Sequence, residues 1–180
     1  MSATCTGRTK NMYFTAAGGS ITDPSTPPPA YLRIKEASVV RNGHGVTVIY
    51  TLAADPPQAG SGISDAQYFT WLGNGTNDMD EPAVSLTWLD SMWSVTVHGT
   101  NDVLGGTVDV QPIVHGHTVS VHLPLRIATS SGYVADLSTF THAGWSTEGK
   151  DPTGFGTWMD GCPTSGEAAE NPGDWEVKLR

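Results

Sequence analysis

Six tryptophans, Trp71, Trp88, Trp93, Trp145, Trp158 and Trp175, together with Tyr31, Tyr68 and Tyr133, are more large aromatics than one small core needs. Indole faces stack on sugar rings and other flat apolar surfaces. A ring platform beside Asp, Asn or Gln is how a site for a polar ligand is built. Trp71, Trp88, Trp93, Trp145 and Trp158 are therefore the candidate ligand-contacting residues, with core packing the competing assignment for each. Phe69 and Trp71 alternate with Tyr68, Thr70 and Leu72, so one of these two sets faces away from the core.

Two further groupings could carry chemistry. His98, His115, His117 and His122 include a His115-Gly116-His117 clip, a spacing that would suit Zn²⁺ or Cu²⁺ if the rings converged. A turn at His115-Gly116 argues against convergence and favours surface histidines or an Asp109–His122 cross-strand pair. The acids gather at Asp78, Asp80 and Glu81 and again at Asp151, Asp160, Glu167, Glu170 and Asp174. Calcium takes six to eight oxygens from such loops, so a structural calcium has Asp23, Asp78, Asp80 and Asp160 as its candidate ligands, against solvated loop acids. Asn74-Gly75-Thr76 matches a glycosylation sequon. Catalytic signatures are missing: the chain has no Gly-x-Ser-x-Gly, His-Glu-x-x-His, Gly-x-x-x-x-Gly-Lys or dinucleotide fingerprint.

The elements that must position these residues are strands. The chain has 180 residues, enough for one domain, and only 15% are charged, whereas 21 Gly and 12 Pro accompany many Thr, Ser and Val. With nine Lys and Arg and a net charge of −9, no basic surface for nucleic acid is available. No apolar run reaches the length of a membrane span. The N-terminus lacks the basic and apolar regions of an export signal, and Met1-Ser2-Ala3-Thr4-Cys5 reads as a start that replaces a removed one. A secreted or cell-surface location follows as an expectation. The termini of an all-β domain commonly meet, so a Cys5–Cys162 disulfide is expected, worth on the order of 4 kcal/mol in an oxidising compartment; two unpaired thiols are the alternative.

Residues 1–30 read as an extended lead-in or edge segment ending in Pro27-Pro28-Pro29, residues 31–163 as the β domain, and residues 164–180 as an acidic tail. Ile34 to Val40, a turn at Asn42-Gly43-His44-Gly45 and Val46 to Leu52 make a hairpin with Ala37, Val39, Val46, Val48, Tyr50 and Leu52 on one face. Strands follow at Ala66–Leu72, Ala83–Leu89 and Trp93–His98, the last two joined by Asp90-Ser91. A second hairpin is expected to pair Val114 with His117, Val110 with Val121 and Val108 with Leu123, and Leu137 to Trp145 is a later strand. Seven to nine antiparallel strands without helical crossovers predict an all-β sandwich, immunoglobulin-like or jelly-roll-like in its layering.

The order of these features, from Asp23-Pro24 and Pro29-Ala30-Tyr31-Leu32-Arg33-Ile34 through Val46–Leu52, Trp93, Val119-Ser-Val-His-Leu-Pro-Leu125 and Phe140 to Asp160, resembles the DOMON and carbohydrate-binding-module-9-like secreted β-sandwich domains. The resemblance covers about residues 20–163. It implies a sandwich whose ligands in that group include sugars and haem, but no Met and His of this chain align with the haem-ligating positions. The expected function is a non-catalytic extracellular module binding a carbohydrate or other small polar-aromatic ligand. The alternatives are an enzyme using loop carboxylates such as Asp78, Asp80 or Asp160, and a structural or assembly subunit.

Overall fold

The computed structural model describes residues 1–7, 12–15, 20–22, 28–74, 82–99, 105–150, 156–163 and 176–180. Sixteen strands run through them: β1 (Ser2–Thr6), β2 (Met12–Thr15), β3 (Ser20–Thr22), β4 (Ile34–Asn42), β5 (Gly45–Leu52), β6 (Asp65–Gly73), β7 (Ala83–Leu89), β8 (Met92–His98), β9 (Gly105–Val108), β10 (Ile113–His115), β11 (Thr118–Leu123), β12 (Arg126–Ala128), β13 (Val134–Asp136), β14 (His142–Lys150), β15 (Gly156–Cys162) and β16 (Val177–Lys178). A single 3-10 turn at Ala30–Leu32 precedes β4. The first sheet has the order β1-β4-β5-β11-β10. The second runs β3-β2-β15-β14-β6-β7-β8-β9, with β16 also on β14, and β12 and β13 form a separate ribbon.

Alternation dictates the layering. In β5 every second residue from Val46 to Leu52 is fully buried, and β6 buries Ala66, Tyr68, Thr70 and Leu72 in the same way. These rows face one another across the interior with Val119, Val121 and Leu123 of β11 and Val84, Leu86, Val95 and Val97 of β7 and β8. Each fully buried Val or Leu contributes roughly 1.5–3 kcal/mol of transfer free energy, and this core holds the two layers together. The expected sandwich and the β4–β5 hairpin are thus present, and Phe69 and Trp71 lie on the outer side of β6.

The second hairpin differs from expectation. Val114 pairs with Val119 and His115 with Thr118, so Gly116-His117 is the turn, with Gly116 at a φ of 53. The correction is by two residues, which leaves the inward and outward faces unchanged. Val108 belongs to the other sheet, opposite Val95, because the chain crosses between layers after β9. The Asp109–His122 pair is accordingly absent, and His122 Nδ1 lies 2.9 Å from Thr47 Oγ1 instead. The late strand also divides differently: Leu137 and Phe140 are buried in the connection between β13 and β14. No sequence signal marked β15, which carries Trp158, Asp160 and Cys162. Cys5 and Cys162 are bonded with 5.9 Å between their Cα atoms, tying edge strand β1 of the first sheet to β15 of the second.

Candidate functional site

Two tryptophans reach one end of the sandwich because of a tight turn. Asp90 and Ser91 adopt φ values of 51 and 64, the left-handed pair of a two-residue hairpin that Asp tolerates, and this sets Trp88 directly opposite Trp93. Both rings fall on the inner face. Trp88 is 3% exposed and donates its indole N–H to the Ile63 carbonyl at 2.8 Å. Trp93 is half-buried, with its ring 5.5 Å from Trp88 and 5.7 Å from Tyr68. Tyr68 is anchored in turn by its hydroxyl on the Tyr31 carbonyl at 2.9 Å and by Tyr50 at 5.5 Å. Burial pushes the phenols of Tyr50 and Tyr68 well above their ordinary values, so both act as neutral donors.

The first sheet does not fully cover Trp93. Its strand β10 has only three residues, and an open cleft of about 490 Å³ remains between the layers. Trp88, Ser91, Met92 and Trp93 form one wall, facing Gln111, Pro112 and Val114, with Pro57, Gln58 and Ala59 closing the side. The volume is that of a small-ligand site, and the wall chemistry is apolar surface with two carboxamides and a hydroxyl. None of the ten lining side chains is an acid or a base. The cleft can stack and hydrogen-bond a ligand, but none of these ten side chains is a proton-transfer group.

The other candidates lie elsewhere. Trp145 and Trp158 are 1% and 7% exposed within the interior, so neither offers an open ring face. Trp71 is half-buried on the outer face of the second sheet, where Phe69 meets it edge-on at 4.8 Å and stands 5.3 Å from His98, whose Nε2 is 3.1 Å from Ser85 Oγ. The five candidates therefore do not share one surface, and only Trp88 and Trp93 meet at a cavity wall.

Asp23, Asp78 and Asp80 lie outside the described residues, as does Trp175. Asp160 is 1% exposed, and its carboxylate accepts N–H bonds from Ile34 at 2.8 Å and Gly161 at 2.9 Å. Beside it, Thr147 donates to the Leu32 carbonyl, so these two side chains fasten the 3-10 turn and β4 to the second sheet. Burial raises the Asp160 carboxyl to about 6 against the pull of the two N–H groups and Arg33. Both oxygens are engaged by donors in the interior, which removes Asp160 from a solvent-fed calcium site or a loop-borne catalytic role. Among the described residues no group of three or more His, Cys, Asp or Glu converges. His117 faces Asp55 at 3.5 Å, away from any shared site with His115.

Sequence reasoning missed Gln58, Gln111, Pro57, Pro112 and Met92. The signal for half of the cleft was present, since a two-residue Asp90-Ser91 turn places Trp88 against Trp93. The opposing wall comes from distant segments. A second missed feature is Glu148, whose carboxyl is raised by burial and by the charge of Asp65, itself 3.7 Å from Lys150. A smaller cavity of about 320 Å³ is lined by Met1, Arg41, Asn42, Leu125 and Ser138. Its guanidinium is already held by the Ser138 and Phe140 carbonyls and lies 4.9 Å over the Phe140 ring.

No protein-family model, curated protein or solved structure matches the chain. No helix among the described residues is long and apolar enough to cross a membrane.

Proposed function

We propose that the protein is a non-catalytic extracellular binding module whose end cleft takes a carbohydrate or other small polar ligand with one flat apolar face. The observation that carries this reading is Trp93, half-buried against Trp88 and Tyr68, walling an open cleft in which Gln58 and Gln111 supply both donors and acceptors. Its neighbours fix the ring, so stacking a ligand on it orders little that is not already ordered. The absence of any acid or base from the lining favours binding over turnover at this site. The disulfide supports an oxidising compartment, and kinship with the DOMON and carbohydrate-binding-module-9-like sandwiches is part of the same reading.

The test is a glycan array followed by calorimetric titration of the best hits. Trp93→Ala is expected to weaken binding by at least tenfold, as loss of an aromatic anchor does, and Gln111→Ala by a smaller factor. Trp71→Ala leaves the affinity unchanged if the cleft is the site. Binding that survives Trp93→Ala but is lost in Trp71→Ala would transfer the site to the outer face of the second sheet.

A further inference from the structure

We infer that the cleft selects uncharged saccharides that carry an acetamido group, an inference that rests on reading the cleft as a saccharide site. Its lining is apolar except for Gln58, Ser91 and Gln111, and no side chain in it is ionisable. Among the described residues these three side chains have no hydrogen-bond partner, so their polar groups are left for a ligand. The Trp88 N–H, by contrast, is already taken by the Ile63 carbonyl at 2.8 Å. Backbone bonds hold Gln58 in its loop: its N–H donates to the Ser61 hydroxyl at 3.4 Å, and its carbonyl accepts the Ser61 N–H at 3.0 Å. The loop is therefore fixed without engaging the carboxamide.

A carboxamide carries a carbonyl acceptor and N–H donors side by side, and an acetamido group presents the complementary pair. Gln58 or Gln111 can thus meet both polar atoms of one substituent, a two-point contact that fixes its orientation, whereas a hydroxyl pivots on a single oxygen. The acetamido methyl then meets apolar wall, including Met92, which is 68% exposed and has an adaptable thioether chain. A hydroxyl in the same place has to leave water for a wall whose three polar side chains already serve the rest of the ring. An ammonium or carboxylate substituent fares worse, because it sheds water against a lining that offers no opposite charge.

The experiment titrates the whole protein with three pentamers of one linkage that differ only in the substituent on one ring carbon: N-acetylglucosamine, glucose and glucosamine. Titrations run at about pH 5, where the amine is charged, and at about 300 mM salt, where long-range attraction to the acidic protein is screened. The acetamido pentamer is expected to bind about tenfold more tightly than the hydroxyl pentamer, and the ammonium pentamer more weakly than either. The double variant Gln58→Leu with Gln111→Leu, at two exposed positions, should bring the first two affinities to within about twofold, chiefly by weakening the acetamido pentamer, with thermal unfolding unchanged. Equal binding of the acetamido and hydroxyl pentamers, both lost in Trp93→Ala, overturns the selection and leaves the saccharide site standing. Tightest binding of the ammonium pentamer overturns it as well, as does an acetamido preference that persists in the double variant. Failure of all three pentamers to bind in a Trp93-dependent way removes the saccharide reading and this inference together.

Discussion

Two ends of the same inner face carry tryptophan and polar side chains to opposite effect. At the β14–β15 end, Trp145 and Trp158 are covered, the 3-10 turn closes over Thr147 and Asp160, and the Cys5–Cys162 bridge pins edge strand β1 across the layers. At the β7–β8 end, Trp88 and Trp93 occupy equivalent inward positions, but the strand opposite is three residues long and the cleft stays open. The strands supply the same alternation in both places. What separates a packed corner from a binding site here is the length of the opposing strand: Thr147 and Asp160 at the closed end are engaged by backbone, while Gln58 and Gln111 at the open end line the cleft.

Perturbations should divide along that line. The largest effect belongs to the bridge: it spans a separation of 157 residues, and Cys5→Ala with Cys162→Ala should lower unfolding free energy by about 4–5 kcal/mol in chemical denaturation, as the entropy of so long a loop implies. Next is Trp145→Ala, expected to cost about 3–5 kcal/mol because a fully buried ring leaves a cavity. Equal stability of that variant and Trp93→Ala would erase the distinction between the two ends.

Asp160 gives an effect of about 3 kcal/mol with a definite sign. Its folded carboxyl titrates near 6 rather than near 3.8, so the folded state holds the proton more tightly than the unfolded one. This group's contribution to stability is fully present below about pH 4 and is lost as pH rises through 6. Asp160→Asn should flatten the stability profile across that window, and an unchanged slope in denaturation measured at pH 4, 5, 6 and 7 would contradict the assignment. The smallest stability effect is that of Trp93→Ala, about 1–2 kcal/mol, since part of the ring is already in water.

The layering and one wall of the cleft were legible in the sequence. Period-two alternation placed Ala37, Val39, Val46, Val48, Tyr50 and Leu52 inward because one side of each strand must leave water. It also separated Tyr68, Thr70 and Leu72 from Phe69 and Trp71. Alternation does not reveal which layer a strand joins, and Val108 was misplaced because the crossing after β9 depends on long-range pairing. Nor does it reveal what covers an inward residue. Trp145 and Trp93 look alike in the chain, and only the opposing strand lengths distinguish them. The hairpin register slipped by two residues because Gly116 serves a turn at Gly116-His117 as readily as one at His115-Gly116.

The most direct test follows the indole N–H signals of the six tryptophans by two-dimensional NMR while the protein is titrated with the best ligand from the glycan array. The cleft predicts that the Trp93 signal moves most and that of its neighbour Trp88 next, while Trp145 and Trp158 stay in place. Movement of Trp71 with Trp93 and Trp88 unmoved would contradict the cleft as the binding site.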